Sequence, residues 1–197
     1  MNRKEREGSL GYLFVVGGCG SSGSTTIAKM ISEYFSLKRV YGGKIYRDIL
    51  KSLGYDLEDN FPDKKIDHID EKVDRKLFDI SKDRDILIES KIFAALATKK
   101  KIPCTIKIWL NASLHTRTVR RMNRDGLRGL SKYLSIRNHL LKRYRFDKRR
   151  FNRLYKIKYN RPKLYNDIVL DTSRMNEEET FNLILKYIKD GGYIKEK

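Results

Sequence analysis

The chain has 197 residues, enough for one domain with a sizeable core. Its 40% hydrophobic and 35% charged composition excludes a disordered or low-complexity chain. The formal net charge is +19, and the segment from Lys99 to Lys163 holds 22 Lys/Arg against two acids, Asp125 and Asp147, leaving 22 basic and 23 acidic residues elsewhere. No apolar run approaches the roughly 20 residues of a membrane span, and the apolar stretch Tyr12 to Val16 is too short for a signal-peptide core. Cys19 and Cys104 make no disulfide framework, so a cytoplasmic protein with no membrane partner is expected.

Residues 1–10 are polar and read as a loose tail. Tyr12 to Val16 reads as a buried strand, followed by a glycine- and serine-rich turn from Gly17 to Gly23. Ile27, Met30, Ile31, Tyr34 and Phe35 then fall at helical spacing on one apolar face. Arg39 to Tyr41 is a short strand, Gly42-Gly43 opens a helix near Lys44 to Leu53, and the acidic stretch Asp56 to Leu77 turns helical after Pro62. Asp85 to Glu89, Thr105 to Leu110 and Asp167 to Asp171 are strands. The basic region between the last two is largely helical in pattern, with a break at Gly126 and Gly129, and Phe181, Ile184, Leu185 and Ile188 mark a closing helix. Residues 193–197 read as a second tail, and Lys99-Lys100-Lys101 as a solvated loop. Strands alternating with helices imply an α/β domain with a mainly parallel sheet and helices on both faces.

The turn carries the chemistry. Gly18, Cys19, Gly20, Ser21, Ser22, Gly23, Ser24 and Thr25 have the spacing G-x-x-x-x-G-[K]-[S/T], with Ser24 where the lysine normally stands. A strand precedes it and an amphipathic helix follows. Glycines let backbone N–H groups turn inward and the helix start adds its dipole, so a polyphosphate is held mainly by backbone. Thr25 is placed to offer its hydroxyl to Mg²⁺, and Thr26 continues the first turn. Ser24 has no charge to follow a phosphoryl group in transfer. Cys19 reads as a small space-filling residue, and His68, His115 and His139 are too scattered for a metal cluster.

Further segments follow one pattern. They are Gly43-Lys-Ile-Tyr-Arg47, then Gly54-x-Asp-Leu57; Ile66-Asp67 with Ile69-Asp70; and Glu89-Ser90-Lys91 at a strand end. Ile108-Trp-Leu110-x-Ala112 is followed by Arg117, Arg120 and Arg124; Arg143, Asp147 and Arg150 form R-x-x-x-D-x-x-R; and Tyr165-x-Asp167 leads to Thr172-Ser173. In order and spacing, from about Leu13 to Ile188, these resemble the short, archaeal-type cytidylate kinases. The resemblance implies an α/β P-loop NTPase three-layer fold with a parallel sheet. A single kinase domain would span 11–192, with a helical acceptor-binding segment at about 40–80 and a helical lid at about 125–162. It implies transfer of the ATP γ-phosphoryl group to CMP or dCMP, with Mg²⁺, by a cytoplasmic monomer.

By the same resemblance Arg143, Asp147 and Arg150 bind the acceptor and bridge to the transferring group, and their i, i+4, i+7 spacing places them on one helical face. Gly43, Arg47 and Lys91 are acceptor-side residues, Arg120 and Arg124 donor-side arginines, and Glu89 joins Thr25 at Mg²⁺. Three positions depart from the family pattern: Ser24 for lysine, Ser90-Lys91 for Gly-Arg, and Lys44 for an acid. Losing one charged transition-state donor costs on the order of 10²–10³ in rate. Two other readings therefore stand: a catalytically weakened relative that binds RNA through the basic 99–163 region, and a kinase of the same fold with another small phosphate acceptor. The aromatics Tyr133, Tyr144, Phe146, Phe151, Tyr155 and Tyr159 within that region are expected to pack the lid.

Overall fold

The computed structural model describes residues 11–55 and 63–194. Five strands form one parallel sheet in the order β2-β3-β1-β4-β5: β1 Leu13–Gly18, β2 Lys38–Tyr41, β3 Ile86–Glu89, β4 Ile106–Asn111 and β5 Ile168–Asp171. The helices are α1 Ser24–Tyr34, α2 Gly42–Ser52, α3 Asp63–Ile80, α4 Phe93–Lys99, α5 Leu114–Arg124, α6 Leu130–Tyr155 and α7 Glu177–Asp190. The Leu13–Val16 stretch of β1 is fully apolar because both sheet faces are covered.

The strand period divides the core. Phe14, Val16, Leu87, Ile106, Ile108 and Leu110 face α1 and α7, whereas Leu13, Val15, Ile86 and Ile88 face α2, α3 and α4. A third cluster joins Cys19, Ile92, Leu96, Trp109, Phe151, Ile157 and Tyr159, so the end of α6 and the turn after it pack over α4 and β4. The topology thus puts the ends of β1 and β3, the acidic helix α3 and the basic helix α6 around one cleft.

The expected strands and helices form with ends shifted by a few residues. α4 is additional: Phe93 to Ala97 is apolar all round and buried on every side, so it carries no amphipathic period. The Lys99-Lys100-Lys101 run is exposed as expected, but Lys99 ends a helix instead of lying in a loop and donates to the Tyr155 carbonyl at 2.6 Å, and the Lys100 ammonium sits 4.1 Å from the Phe78 ring centroid. Tyr193 and Ile194, expected in a tail, pack against the α1–α7 cluster because their apolar side chains extend its surface. The tail at 1–10, residues 195–197 and the Asp56-Leu57 part of the acceptor-side motif lie outside the described residues.

Candidate active site

The turn between β1 and α1 is shaped by close approach. A Cβ at Gly18 would lie 2.4 Å from Ser22 Oγ and 2.7 Å from the Leu110 carbonyl, and Gly23 caps α1 at φ +96°. Ser21 also adopts positive φ, at 65°. Two arginines of α5 brace this turn from outside. Arg117, which is buried, donates through Nη1 to the Gly20 carbonyl at 3.4 Å and through Nε to Ala112. Arg120 donates through Nη1 to the Ser22 carbonyl at 3.1 Å and to Thr172 Oγ1 at 2.9 Å, and through Nη2 to the carbonyls of Thr172 and Met175. Two loop carbonyls are thereby held against cations on the outer side, while Ser22 Oγ is buried with no hydrogen-bond partner. A polar atom left so in a glycine-rich turn marks a place for a polar ligand.

Cys19 packs in the loop with its thiol against Asn111, and burial pushes the thiol up from its ordinary value. It stays a protonated, space-filling group.

At the start of α1, Thr25 Oγ1 donates to Glu89 Oε1 at 2.5 Å, and Arg39 holds Glu89 Oε2 through Nη2 at 2.5 Å and Nε at 3.1 Å. Glu89 is 4% exposed, so its charge needs this partner. A hydroxyl and a carboxylate side by side are the hard oxygen donors that Mg²⁺ takes from a protein when phosphates and waters complete its shell, although both Glu89 oxygens are engaged by Thr25 and Arg39. The donor set fits. Among the described residues no group of three or more His, Cys, Asp or Glu side chains forms a metal cluster.

The second half of the site is a buried charge cluster. Lys91, just past β3, donates to Asp147 on α6, and Arg150 reaches the other Asp147 oxygen at 3.3 Å. Arg150 Nε also lies 3.2 Å from Asp70 on α3, outside hydrogen-bond geometry, so Arg150 Nε and Asp70 Oδ2 are both buried without a hydrogen-bond partner. The guanidinium sits among the rings of Tyr46, Phe146 and Phe151 at 5.9, 5.2 and 4.7 Å. One turn along α3, Asp74 accepts from the Tyr155 hydroxyl, and Arg153 pairs with Asp67 at 2.6 Å. Burial pushes the carboxyls up, Asp70 to about 7 and Asp74 to about 6, against the pull of Arg150 on both and the Tyr155 hydrogen bond on Asp74. Burial likewise lowers Lys91, opposed by Asp147.

The two halves meet. Cys19 of the loop shares a packing cluster with Ile92 and Phe151, its thiol feels the charges of Lys91 and Asp147, and the Leu140 side chain of α6 lies 3.8 Å from a Cβ built at Gly20. Arg143 is exposed, makes no ion pair among the described residues, and its charge acts on both Lys91 and Tyr46 at the mouth of the cluster.

Other expected positions lie further out. Arg47 is exposed, 5.2 Å from the Tyr41 ring, which Arg39 also approaches at 5.6 Å; Gly43 leaves room for that ring, since a Cβ there would lie 2.7 Å from it. Arg124 pairs with Asp125 at 3.0 Å at the end of α5, beside Arg121. The motif spacing includes Arg117 beside Arg120 and Arg124 without giving it a role, and it does not single out Arg39, Asp74 or the Tyr155 hydroxyl. For Arg39 a signal existed, because Arg39 and Tyr41 alternate onto one face of β2 beside Glu89.

The sheet order, the glycine-rich turn after β1 and the buried charge cluster beside it fit the class of P-loop phosphotransferases. Solved structures share the fold: an uncharacterized protein from Eubacterium ventriosum has a TM-score of 0.64 at 19% identity, covering 90% of this chain and 98% of its own. Shikimate kinase from Acinetobacter baumannii, in complex with shikimate, has a TM-score of 0.58 at 14% identity, with 96% and 98% covered. No protein-family model matches the chain. The cytidylate kinase of Methanopyrus kandleri is 33% identical over 188 residues, 89% of this chain and 92% of the relative, and that of Methanocaldococcus jannaschii is 32% identical over 174 residues, with 87% and 94% covered. The cytidylate kinase of Pyrococcus horikoshii is 29% identical over 192 residues. The chain belongs to the cytidylate kinase family.

Proposed function

We propose that the protein transfers the γ-phosphoryl group of ATP to CMP or dCMP, breaking the bond from the γ-phosphorus to the β–γ bridging oxygen and forming one to an oxygen of the acceptor phosphate. The observation that carries this reading is the meeting of the loop with the Lys91–Asp147–Arg150 cluster. Two anionic substrates must be brought into line, and such a transfer needs positioning and charge neutralisation more than covalent chemistry.

In this reading the loop from Gly18 through Ser24 and the first turn at Thr25 and Thr26 hold the donor phosphates through backbone N–H groups other than those of Cys19 and Ser22, which donate to the carbonyls of Leu110 and Cys19, while Arg117 and Arg120 fix the loop's outer carbonyls. Arg124 stands on the same helix as a more distant donor-side charge. Thr25 and Glu89 would hold Mg²⁺, which when bound neutralises phosphate charge; Arg39 keeps the Glu89 carboxylate oriented toward Thr25. Arg47 and Lys91 receive the acceptor phosphate, with Gly43 shaping the start of α2. Arg150 and Arg143 neutralise the transferring group, and Asp147 orients Lys91 and Arg150 from between them. The rings around Arg150 exclude water, which strengthens these charges. We read the enzyme as a cytoplasmic monomer. Two free cysteines agree with a reducing compartment, and among the described residues no helix is long and apolar enough to cross a membrane.

The test is ADP release from ATP and Mg²⁺ with CMP, dCMP, UMP and AMP offered separately. Turnover with CMP or dCMP well above the other two is expected. Preference for a different acceptor would make this a same-fold kinase with another substrate. No turnover with any acceptor would overturn the reading in favour of an inactive relative.

A further inference from the structure

The charge excess of the 99–163 segment exceeds what the kinase site uses. An open groove of about 970 Å³, lined by neither Asp147 nor Arg150, runs between α6 and the turn that follows it. Six cations line it: Lys142, Arg145, Lys148, Arg149, Lys158 and Arg161. All six are exposed, no acid lines the groove, and none of the six makes an ion pair among the described residues. Elsewhere on the surface some cations of α1, α2 and α5 are paired with an acid, as Lys29–Glu33, Lys44–Asp48 and Arg121–Asp125 show. Uncompensated like charges side by side repel one another and weaken the folded state, so their alignment calls for a polyanionic occupant.

We infer that this groove is a binding site for single-stranded RNA, present in addition to the phosphotransfer site. Chemistry and shape favour this partner over an anionic membrane. The surface is concave, and none of the exposed large hydrophobic residues, Leu130 and Leu134 of α6 included, lines it, so nothing is placed to insert into a bilayer. What the groove offers besides charge is the half-buried Phe146 ring, a face on which a base stacks, and the amides of Asn152 and Asn160, which hydrogen-bond base edges and 2′-hydroxyls. The guanidiniums of Arg145, Arg149 and Arg161 are suited to bidentate phosphate contacts.

The experiment titrates the full chain with a fluorescent 20-nucleotide single-stranded RNA, an equal DNA and vesicles containing anionic lipid, from 50 to 200 mM salt. RNA binding is expected to weaken with a log–log salt slope of about −4, the value for six neutralised phosphates of a single strand. The triple variant K142E/R145E/R149E is expected to lose about thirtyfold or more in affinity and to flatten the slope by about 2. A charge-matched control, K51E/K76E/K186E, changes net charge equally on exposed sites outside the groove and is expected to stay within about threefold. Unchanged thermal melting of both variants confirms that they fold, and the alanine triple at the same groove positions repeats the test without added acids. No RNA binding at 50 mM salt, an equal loss in the control triple, DNA held tenfold more tightly than RNA, or binding to vesicles alone would each overturn the inference.

Discussion

Ser24 is the residue at which this chain departs most from a phosphate loop, and its surroundings show that the loop geometry is intact without the lysine. Gly18 and Gly23 adopt the close approach and positive φ the turn needs, and Arg117 and Arg120 anchor its carbonyls. What is missing is one mobile charge at the donor phosphates. Lys29 does not supply it, since it lies exposed on α1 paired with Glu33. Restoring the charge by Ser24→Lys is therefore expected to raise kcat by about tenfold or more, toward the on-the-order-of 10²–10³ that one such donor is worth. An unchanged kcat would mean that Lys91, Arg143 and Arg150 already neutralise the transferring group. Arg120→Ala removes four donated hydrogen bonds and frees both the loop and the turn after β5. It is expected to cost about 2 kcal/mol in urea unfolding and to raise the KM for ATP several-fold with a smaller effect on kcat. A stability loss with unchanged KM would show that Arg120 braces the fold without shaping the loop.

At the scale of elements, α3 and α6 are locked by the ion pairs Asp70–Arg150 and Asp67–Arg153 and by the hydrogen bond from the Tyr155 hydroxyl to Asp74. This lock was half legible. The helical period of α3 and the R-x-x-x-D-x-x-R spacing on α6 show each face, but which side chains meet depends on how the two helices cross, and that is set by the tertiary fold. α4 was not legible, because a short helix buried on every side has no polar face to give a period. The lock gives a pH dependence. Burial raises Asp74 from about 3.8 to about 6 and Asp70 to about 7, so between about pH 4 and these values the folded state keeps protons that the unfolded state has released. Stability from these groups is fully present below about pH 4 and is lost as pH rises through 6 and 7. Asp74→Asn keeps an acceptor for Tyr155 and removes one of the two ionisations. Its urea midpoint is expected to fall less than that of the natural protein between pH 4.5 and 6.5. Parallel curves would remove Asp74 from the titration.

The whole molecule explains why the site was harder to read than the fold. Alternating strands and helices define an α/β domain in one dimension, whereas the cleft draws on five separated segments: the loop at 18–25, Arg39, the end of β3 at 89–91, the acids of α3 and the inner face of α6. Only the strand order β2-β3-β1-β4-β5 brings them together, by placing β3 next to β1 so that Glu89 meets Thr25 and Lys91 lies beside the loop. The roles of Arg39 and Arg117 are not legible in the sequence, where Arg117 is only a motif position, because their partners, Glu89 and the Gly20 carbonyl, are about fifty and a hundred residues away. Charge at this scale acts differently on binding and on chemistry. In the proposed reading the +19 protein attracts anionic nucleotides through exposed residues such as Arg143 and Arg47, which salt screens once the Debye length shrinks from roughly 10 Å at 0.1 M toward 3 Å at 1 M. Lys91, Asp147 and Arg150 are enclosed and screened far less. Steady-state assays from 0.05 to 0.5 M KCl are therefore expected to show KM for both nucleotides rising by about tenfold while kcat stays within about twofold. A kcat that falls in step would place the salt-sensitive charges among those that touch the transferring group, with exposed Arg143 the first to examine.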